Sequence, residues 1–286
     1  MRHCFFCIYT GTNSSLVQQF SGSFSSADRA GFVLPRIVDN KGIRSGYEPL
    51  NGNRMIALIG AIFASSSPGC TIVTDSTTSE SLSAFLEQKL GLRHYRYVRG
   101  YANVIGKAAE LTASGAANAE VAIEISGHCA MKENGYVDDG TYTAVKIIGL
   151  LARTAVIAAA SGGKVNLFDL LVGFDEMPFE KEARFTAADG SLETTSRAFR
   201  RLAQSLEEQC ERNDDWSLDR DNQEGVRVRL SSAGHFMIRQ SLHDPVISMQ
   251  VESISEEEAR EKVFDPLLGL LLKYDALDYS ALKDLA

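Results

Sequence analysis

The sequence is poor in cysteine and proline for its length, and it lacks a long uninterrupted apolar run. Five cysteines and six prolines stand among 286 residues, and an odd, scattered set of cysteines does not make a disulfide framework. We therefore expect free thiols in a reducing compartment. The longest apolar stretch, 145–160, is interrupted by Lys146 and Arg153 and falls short of the ~18 apolar residues of a membrane helix. A membrane-spanning protein is not expected.

Cys4 and Cys7 have the C-x-x-C spacing of a zinc or redox motif. No second cysteine pair or nearby histidine pair completes a zinc site, and residues 3–10 offer neither the strand nor the helix that flank a redox motif. We interpret both as ordinary thiols. Residues 1–27 contain no Asp or Glu and are rich in serine, as in a transit peptide, but they hold almost no arginine. We interpret them as a misplaced start or a frayed tail, and expect a cytoplasmic protein, with a plastid as the alternative.

Positive charge is also in short supply. There are 29 Lys and Arg against 37 Asp and Glu, a net charge of -8, which argues against nonspecific binding to nucleic acid or to anionic membranes. A phosphorylated ligand remains compatible, because a local cluster of donors holds an anion. Hydrophobic residues at 44% and charged residues at 23% are typical of a soluble globular protein, and the length favours two domains.

Strands and helices alternate in the first half of the chain. Apolar residues at helical spacing from Met55 to Phe63, preceded by Asn53 as a cap, predict the first helix. The other predicted helices are 82–90, 102–112 and 142–160, and the predicted strands are 71–75, 94–99 and 120–125. Such alternation implies a parallel sheet covered on both faces. The sequence therefore predicts a three-layer α/β/α domain over residues 50–165.

The pattern changes after a helix predicted near 165–171 and a linker containing Pro178. The predicted elements beyond it are a strand at 182–187, a helix at 192–209, a hairpin of 226–230 with 235–239, and a strand at 246–252. The last helix begins at Ser255, which has capping-box spacing to Glu258. These elements predict a smaller α+β C-terminal domain with an antiparallel sheet over residues 180–275, and the chain as a whole is of the α/β class.

A five-residue motif, Glu124-Ile-Ser-Gly-His128, directly follows a predicted buried strand. In α/β sheets, ligands bind outside the carboxyl ends of the strands. A carboxylate, a hydroxyl, a flexible glycine and an imidazole at such a place can contact sugar hydroxyls and a phosphate. The alternative is a polar turn with an exposed histidine, since motifs of this length recur by chance.

A second motif, Arg239-Gln-Ser-Leu-His-Asp-Pro245, follows a predicted strand of the second domain. Arg239 supplies a forked set of donors that suits phosphate oxygens. Ser241 and His243 add donors, as do backbone N–H groups of a turn made rigid by Pro245. The alternative is a surface loop after an edge strand.

Together, in this order and about one domain apart, the two motifs resemble the α-D-phosphohexomutase superfamily, the phosphoglucomutase/phosphomannomutase enzymes. That family has a sugar-selecting Glu-x-Ser-Gly-His loop in its third domain and a phosphate loop starting Arg-x-Ser in its fourth. The variant Ser-Leu-His-Asp-Pro, with Glu224-Gly-Val-Arg-Val228 before it, resembles a plant- and cyanobacteria-type branch. Other stretches similar to that branch are Asn51-Gly-Asn-Arg54, Thr71-Ile-Val-Thr-Asp75, Arg99-Gly-Tyr101 and Asp138-Asp-Gly140. The similarity runs from Asp28 to the last helix.

The resemblance implies a function and a set of site residues. Such enzymes interconvert hexose 1-phosphates and hexose 6-phosphates through a bisphosphorylated intermediate, with Mg²⁺ and with glucose 1,6-bisphosphate as activator or intermediate. The implied substrate-binding residues are Glu124, Ser126, His128, Arg99 and Gly100. The residues implied to hold the phosphate that is not transferred are Arg239, Ser241 and His243. The expected partners are small hexose phosphates, and neither nucleic acid nor a membrane is expected.

The sequence departs from the family's pattern at two catalytic loops. The family's phosphoserine loop, of the Thr-Ala-Ser-His type, does not occur in the printed sequence, so no covalent phosphoryl carrier is expected and no catalytic residue is assigned. The magnesium loop, Asp-x-Asp-x-Asp-Arg in the family, corresponds to Phe24-Ser-Ser-Ala-Asp-Arg29. A single carboxylate, Asp28, is a poor magnesium site, and Mg²⁺ is central to phosphoryl transfer. Ser76, Ser79 and Ser81 are interpreted as cap and helix-surface residues.

Three hypotheses follow. The first is the C-terminal half of a phosphohexomutase, with residues 1–49 a tail and remnant of the preceding domain, inactive alone. The second is a non-catalytic phosphosugar-binding or regulatory protein. The third is a half-enzyme completed by another chain that carries the missing domains. Binding of ligand without a partner favours the second, and turnover only with a partner favours the third. The preference for glucose or mannose and the oligomeric state stay open.

Overall fold

The computed structural model describes residues 52–160, 170–241, 244–274, 277–283 and 285, and the backbone of four strands before them. Its contacts divide the chain into two units, one of residues 1–78 and 82–174, the other of residues 79–81 and 175–286. The division after Phe174 falls between the two domains predicted from the sequence. Within the described residues, every helix is too short or too polar to cross a membrane.

Four short strands precede the first helix: β1 (Phe5–Cys7), β2 (Ser21–Phe24), β3 (Ala30–Pro35) and β4 (Tyr47–Pro49). They pair in chain order, each antiparallel to the next. The sequence predicted no strands in this part of the chain.

The first unit contains a second sheet with helices on both faces. Its strands are β5 (Thr71–Asp75), β6 (Arg93–Tyr97), β7 (Ala119–Ile123) and β8 (Cys129–Met131). Their order in the sheet is β6-β5-β7-β8. The central strand β5 is parallel to both neighbours, whereas β8 runs antiparallel to β7. The sheet is therefore mixed, because a tight turn after β7 returns the chain directly along its edge.

The helices of this unit are α1 (Gly52–Ser66), α2 (Glu80–Ala84) with a π-helical continuation (Phe85–Lys89), α3 (Tyr101–Ala113) and α4 (Gly140–Ala160). All five residues of β5 are buried. On one face Ile72 packs with apolar residues of α1, α2 and α4. On the other, Val73 packs against Val104 and Ala108 of α3. The predicted three-layer α/β/α arrangement is confirmed.

The second unit is built on a six-stranded antiparallel sheet. Its strands are β9 (Phe179–Ala187), β10 (Trp216–Leu218), β11 (Val226–Leu230), β12 (His235–Gln240), β13 (Val246–Ser253) and β14 (Leu277–Asp278). Their order is β10-β11-β12-β13-β9-β14. The predicted antiparallel α+β domain is confirmed. The two short edge strands, β10 and β14, were not predicted, because two or three residues carry no readable alternation.

One long helix and a broken terminal helix complete this unit. They are α5 (Leu192–Cys210), α6 (Glu256–Ala259) with a π-helical turn (Arg260–Phe264), α7 (Asp265–Leu271) and α8 (Ser280–Lys283). The predicted cap is confirmed, since the Ser255 hydroxyl accepts a 3.1 Å hydrogen bond from the Glu258 N–H. The predicted helix near 165–171 lies almost wholly outside the described residues.

Candidate functional site

The Glu124–His128 segment is a tight turn between β7 and β8. The Glu124 N–H donates to the His128 carbonyl, and the Gly127 N–H donates to the Glu124 carbonyl, both at 2.9 Å. Gly127 has a φ of +93°, a conformation that glycine adopts without steric cost. The turn therefore presents the polar side chains of the motif together at the carboxyl end of β7.

The Glu124 carboxylate is the centre of this turn, and it is only 5% exposed. One oxygen accepts a 2.7 Å hydrogen bond from the Gly100 N–H, and the other accepts a 3.0 Å bond from the Ser126 hydroxyl. Three residues predicted for one site are thus in direct contact. A carboxylate accepts at about four lone-pair positions, so these two bonds leave it capacity for hydroxyl donors of a ligand.

His128 is held by a carboxylate and by an aromatic ring. Its Nδ1 lies 2.6 Å from Asp138 Oδ2, and Asp138 Oδ1 accepts a 3.0 Å bond from the Cys129 N–H. The Tyr101 ring stacks on the imidazole with centroids 4.9 Å apart and is half exposed. A carboxylate at Nδ1 fixes the ring's orientation and makes Nδ1 the donor. Asp138 is the residue that holds His128.

The cap of α4 is the neighbouring residue. The Asp139 carboxylate accepts a 2.9 Å bond from the Tyr142 N–H. Two adjacent aspartates thus have different roles, one within the candidate site and one at a helix terminus.

Asp75 ties this turn to the end of β5. It is 1% exposed, and its carboxylate accepts 2.8 Å bonds from the Ile125 N–H and from the Thr77 N–H. The Thr77 hydroxyl also donates to it. Sequence reasoning did not select Asp75 as a site residue. The available signal was an aspartate at the carboxyl end of a buried parallel strand.

The start of α1 supports the turn from another side. A Cβ atom on Gly52 would lie 2.3 Å from the Ile125 carbonyl oxygen. Only glycine fits so close an approach of two backbones. This is a physical reason for the glycine in the Asn51-Gly-Asn-Arg54 stretch.

Arg99 and Gly100 form the turn into α3. Gly100 has a φ of +116°, and the Arg99 carbonyl accepts a 2.8 Å bond from the Asn103 side chain. The Arg99 side chain is exposed. Gly100 therefore reaches the site through its backbone N–H, as a contact to Glu124.

The thiol next to His128 is kept neutral. Burial raises the pKa of Cys129 to about 12, and the nearby Asp138 charge acts in the same direction, against an opposing hydrogen bond with Thr143. Cys70 and Cys210 also have raised pKa values of about 11, mainly because of burial. These three described cysteines are free thiols, and none of them is a thiolate at neutral pH.

The second motif follows β12 in the other unit. The Arg239 side chain is 19% exposed, and its Nη1 lies 3.8 Å from the Glu224 carboxylate. The Ser241 hydroxyl accepts a 3.2 Å bond from the Asp244 N–H, and the Ser241 N–H donates to the Val246 carbonyl at 2.8 Å. Arg239 and Ser241 thus begin a hydrogen-bonded turn.

Gly225, next to Glu224, is required by the packing of this motif. Its φ is +61°, and a Cβ there would lie 2.2 Å from the Ile238 carbonyl oxygen and 2.9 Å from the Arg239 Cβ. The close approach of β11 to β12 sets Glu224 beside Arg239. Glu224 belongs to a stretch that resembles the family, but it was not predicted as a site residue.

Two predicted site residues cannot be placed. His243 and Asp28 lie outside the described residues, so the predicted magnesium position stays a prediction. In the part of the chain that the structure describes, no group of three or more His, Cys, Asp or Glu side chains could hold a metal ion.

Comparison with known proteins assigns the first unit's fold. Residues 51–161 match the family model described as phosphoglucomutase/phosphomannomutase, alpha/beta/alpha domain III. No curated protein matches the chain. A solved phosphoglucomutase/phosphomannomutase family protein from Burkholderia thailandensis is 22% identical with a TM-score of 0.60, over 90% of this chain and 47% of that chain.

Two further solved structures are similar. The phosphoglucomutase parafusin from Paramecium is 12% identical with a TM-score of 0.54, over 91% of this chain and 44% of that chain. The N-acetylphosphoglucosamine mutase of Aspergillus fumigatus, in complex with GlcNAc-6P and magnesium, is 14% identical with a TM-score of 0.53, over 91% of this chain and 53% of that chain. The chain has a phosphohexomutase-like fold, and it spans about half the length of these structures.

Proposed function

We propose that this chain binds hexose phosphates as the sugar- and phosphate-recognising part of a phosphoglucomutase/phosphomannomutase-type protein. The reaction class is the interconversion of hexose 1-phosphate and hexose 6-phosphate by intramolecular phosphotransfer. The observation that carries the proposal is the contact set of Glu124 with Ser126 and Gly100 at the carboxyl end of β7. The domain III match over the same residues supports it.

Glu124 and Ser126 are suited to reading sugar hydroxyls. A buried carboxylate accepts strong hydrogen bonds from O–H groups, and the Gly100 N–H fixes where its oxygens lie. The Ser126 hydroxyl already donates to Glu124, so its remaining capacity toward a ligand is as an acceptor. These groups select neutral hydroxyl donors and hold them in a defined direction.

Arg239 and Ser241 are suited to a phosphate. A guanidinium offers paired donors that match phosphate oxygens, and the Glu224 carboxylate 3.8 Å away holds it in place before a ligand arrives. A phosphate that approaches Arg239 would form short hydrogen bonds with the guanidinium, and these would replace its 3.8 Å contact with Glu224. His243 is proposed as a further donor.

Turnover would require, in addition to these binding residues, a phosphoryl carrier and Mg²⁺. The wider proposal is that this chain is the third- and fourth-domain part of such a protein, of the plant and cyanobacterial type. Arg99 is proposed to contact the ligand from the α3 turn, and Asp28 to be what remains of the metal loop. By itself the chain is expected to bind ligand without converting it.

The test is a thermal shift and calorimetric titration of the full chain with glucose 1-phosphate, glucose 6-phosphate, mannose 1-phosphate and glucose 1,6-bisphosphate. Arg239→Ala is expected to lower affinity at least 10-fold, since a lost charge-assisted contact is worth about 1.5–3 kcal/mol. The matched control is Arg184→Ala on the same sheet, because Arg184 is 70% exposed and pairs with Glu182. Ser126→Ala should weaken the binding of sugar phosphates and leave the binding of inorganic phosphate unchanged.

A coupled phosphoglucomutase assay with Mg²⁺ and glucose 1,6-bisphosphate completes the test. Binding without turnover would favour the phosphosugar-binding or regulatory alternative. Turnover only after adding a chain with the remaining domains would favour a half-enzyme. Absence of binding by all four ligands would refute the proposal.

A further inference from the structure

The outward side of α5 carries its charges in two separate blocks. The helix packs Ala198, Leu202 and Leu206 into the core of the second unit, and its opposite side is exposed, as in other amphipathic surface helices. From residue 197 to residue 211 the exposed residues are three arginines, one glutamine and three glutamates: Arg197, Arg200, Arg201, Gln204, Glu207, Glu208 and Glu211. At 1.5 Å per residue, the two blocks together extend over about 21 Å of helix.

This separation of charge is unfavourable for the helix itself. Arg197 and Arg201 are four residues apart, as are Glu207 and Glu211, and like charges at that spacing repel each other on a helix surface. The last turn of α5 has no basic residue, although the helix dipole favours positive charge there. Alternating signs would give each arginine an acidic neighbour on its own helix. The observed arrangement becomes favourable only if another molecule supplies the opposite charges.

The described part of the chain does not neutralise either block. Among the described residues, none of these arginines and glutamates forms an ion pair. Arg201 lies over the Tyr274 ring, 5.2 Å from its centroid, and the Gln204 side chain donates a 3.1 Å bond to Glu208. These contacts orient the side chains and leave them exposed to solvent.

The two blocks are symmetric about Gln204. The residues three, four and seven positions before it are arginines, and the residues three, four and seven positions after it are glutamates. A second copy of α5, related by a two-fold axis that passes beside Gln204, would run antiparallel and set each arginine opposite a glutamate. A two-fold contact forms every pair twice, so three pairs in the sequence become six between two copies.

We propose that the exposed face of α5 binds α5 of a second copy of this chain, antiparallel and with Gln204 at the two-fold axis. The pairs are Arg197 with the partner's Glu211, Arg200 with the partner's Glu208, and Arg201 with the partner's Glu207. Complementary charge of this kind fixes the register and the choice of partner more than the affinity. Because exposed ion pairs are individually weak, the expected dimer is weak and sensitive to salt.

The test is sedimentation equilibrium of the unaltered full chain at low and at high ionic strength. Raising the salt from about 0.01 M to about 1 M shortens the screening length from about 30 Å to about 3 Å, and should raise the dimer's dissociation constant at least about 10-fold. At low salt, Arg200→Glu should weaken the dimer, because the two-fold axis repeats the change in both copies. Arg184→Glu is the matched control, since it makes the same charge change at an exposed arginine of β9. It should leave the dissociation constant unchanged.

Two charge-swapped chains give a sharper test. One carries Arg197→Glu, Arg200→Glu and Arg201→Glu, and the other carries Glu207→Arg, Glu208→Arg and Glu211→Arg. Each alone should be monomeric, because its stripe then has one sign of charge, whereas an equal mixture should form a heterodimer. Circular dichroism reports whether each variant is folded.

Three results would overturn the inference: an unaltered chain that is monomeric at low salt, a dimer that Arg200→Glu does not weaken, and a mixture of folded swapped chains that stays monomeric. If a swapped chain fails to fold, the salt dependence and the comparison of Arg200→Glu with Arg184→Glu decide the question.

Discussion

Replacement of Asp138 by asparagine tests whether its carboxylate orients His128 and stabilises the turn. The Asp138 carboxylate accepts two bonds, 2.6 Å from His128 Nδ1 and 3.0 Å from the Cys129 N–H. Asparagine has one acceptor oxygen and would turn it to the Cys129 N–H. His128 would then move its proton from Nδ1 to Nε2 to accept from the amide. Exchanging two charge-assisted bonds for neutral ones costs about 1 kcal/mol each, so Asp138→Asn should lower the unfolding free energy by about 2 kcal/mol.

Asp139→Asn is a matched control that removes the same charge one residue away. Asp139 caps α4 through the Tyr142 N–H, and asparagine caps a helix about as well as aspartate. Urea denaturation followed by circular dichroism should therefore show a loss for Asp138→Asn and almost none for Asp139→Asn. Nitrogen NMR of the imidazole should report the changed tautomer at His128. Equal losses for both variants, or an unchanged tautomer, would refute the reasoning.

Two further perturbations have outcomes set by the structure. Because the pKa of Cys129 is raised from 9.0 to about 12, the unfolded chain loses its proton first as pH rises above 9, and stability should fall by about 1.4 kcal/mol per pH unit from this thiol. For Cys129→Ala, the unfolding free energy from denaturation curves between pH 9 and 10.5 should fall less steeply with pH than for the unaltered chain. An equal fall in both proteins would contradict this. Gly225→Ala should lose at least about 1 kcal/mol more in urea denaturation than Gly190→Ala, since both have positive φ but only Gly225 faces a 2.2 Å clash. Similar losses would show that β11 moves freely.

Most of the regular structure could be predicted because its signals are local. The strand Thr71–Asp75 was predicted to the residue, since a short apolar run between a Pro-Gly turn and polar residues has few other interpretations. The cap at Ser255 was also predicted from a local signal, the three-residue spacing between Ser255 and Glu258. Strand β8 was missed because three residues after a glycine turn carry no period. The π-helical turns were missed because they depend on packing against the core.

The candidate site could be predicted as far as single motifs and the family resemblance reach, and the resemblance placed Gly100 in one site with Glu124. Glu124 and Ser126 are two residues apart, and one motif selected both. Asp75 is 50 residues from the Ile125 N–H that it accepts. Contacts of this kind depend on strand order and register, which a single sequence does not state.

The site in the first unit is rich in carboxylates, which is a physical reason to propose that a phosphate binds at the Arg239 motif instead. Asp75 and Glu124 are buried and the Asp138 side chain is 14% exposed, and each of these carboxylates accepts a backbone N–H of the turns around it. Those bonds fix the turns. A phosphate dianion brought against Glu124 would be repelled, whereas sugar hydroxyls would be attracted. We therefore propose that the Glu124 turn reads sugar hydroxyls and that the Arg239 turn reads a phosphate. A sugar with an added carboxylate, such as a hexuronic acid phosphate, should bind at least 10-fold more weakly than glucose 1-phosphate in the calorimetric titration. Equal affinity would mean that Glu124 does not face the ligand.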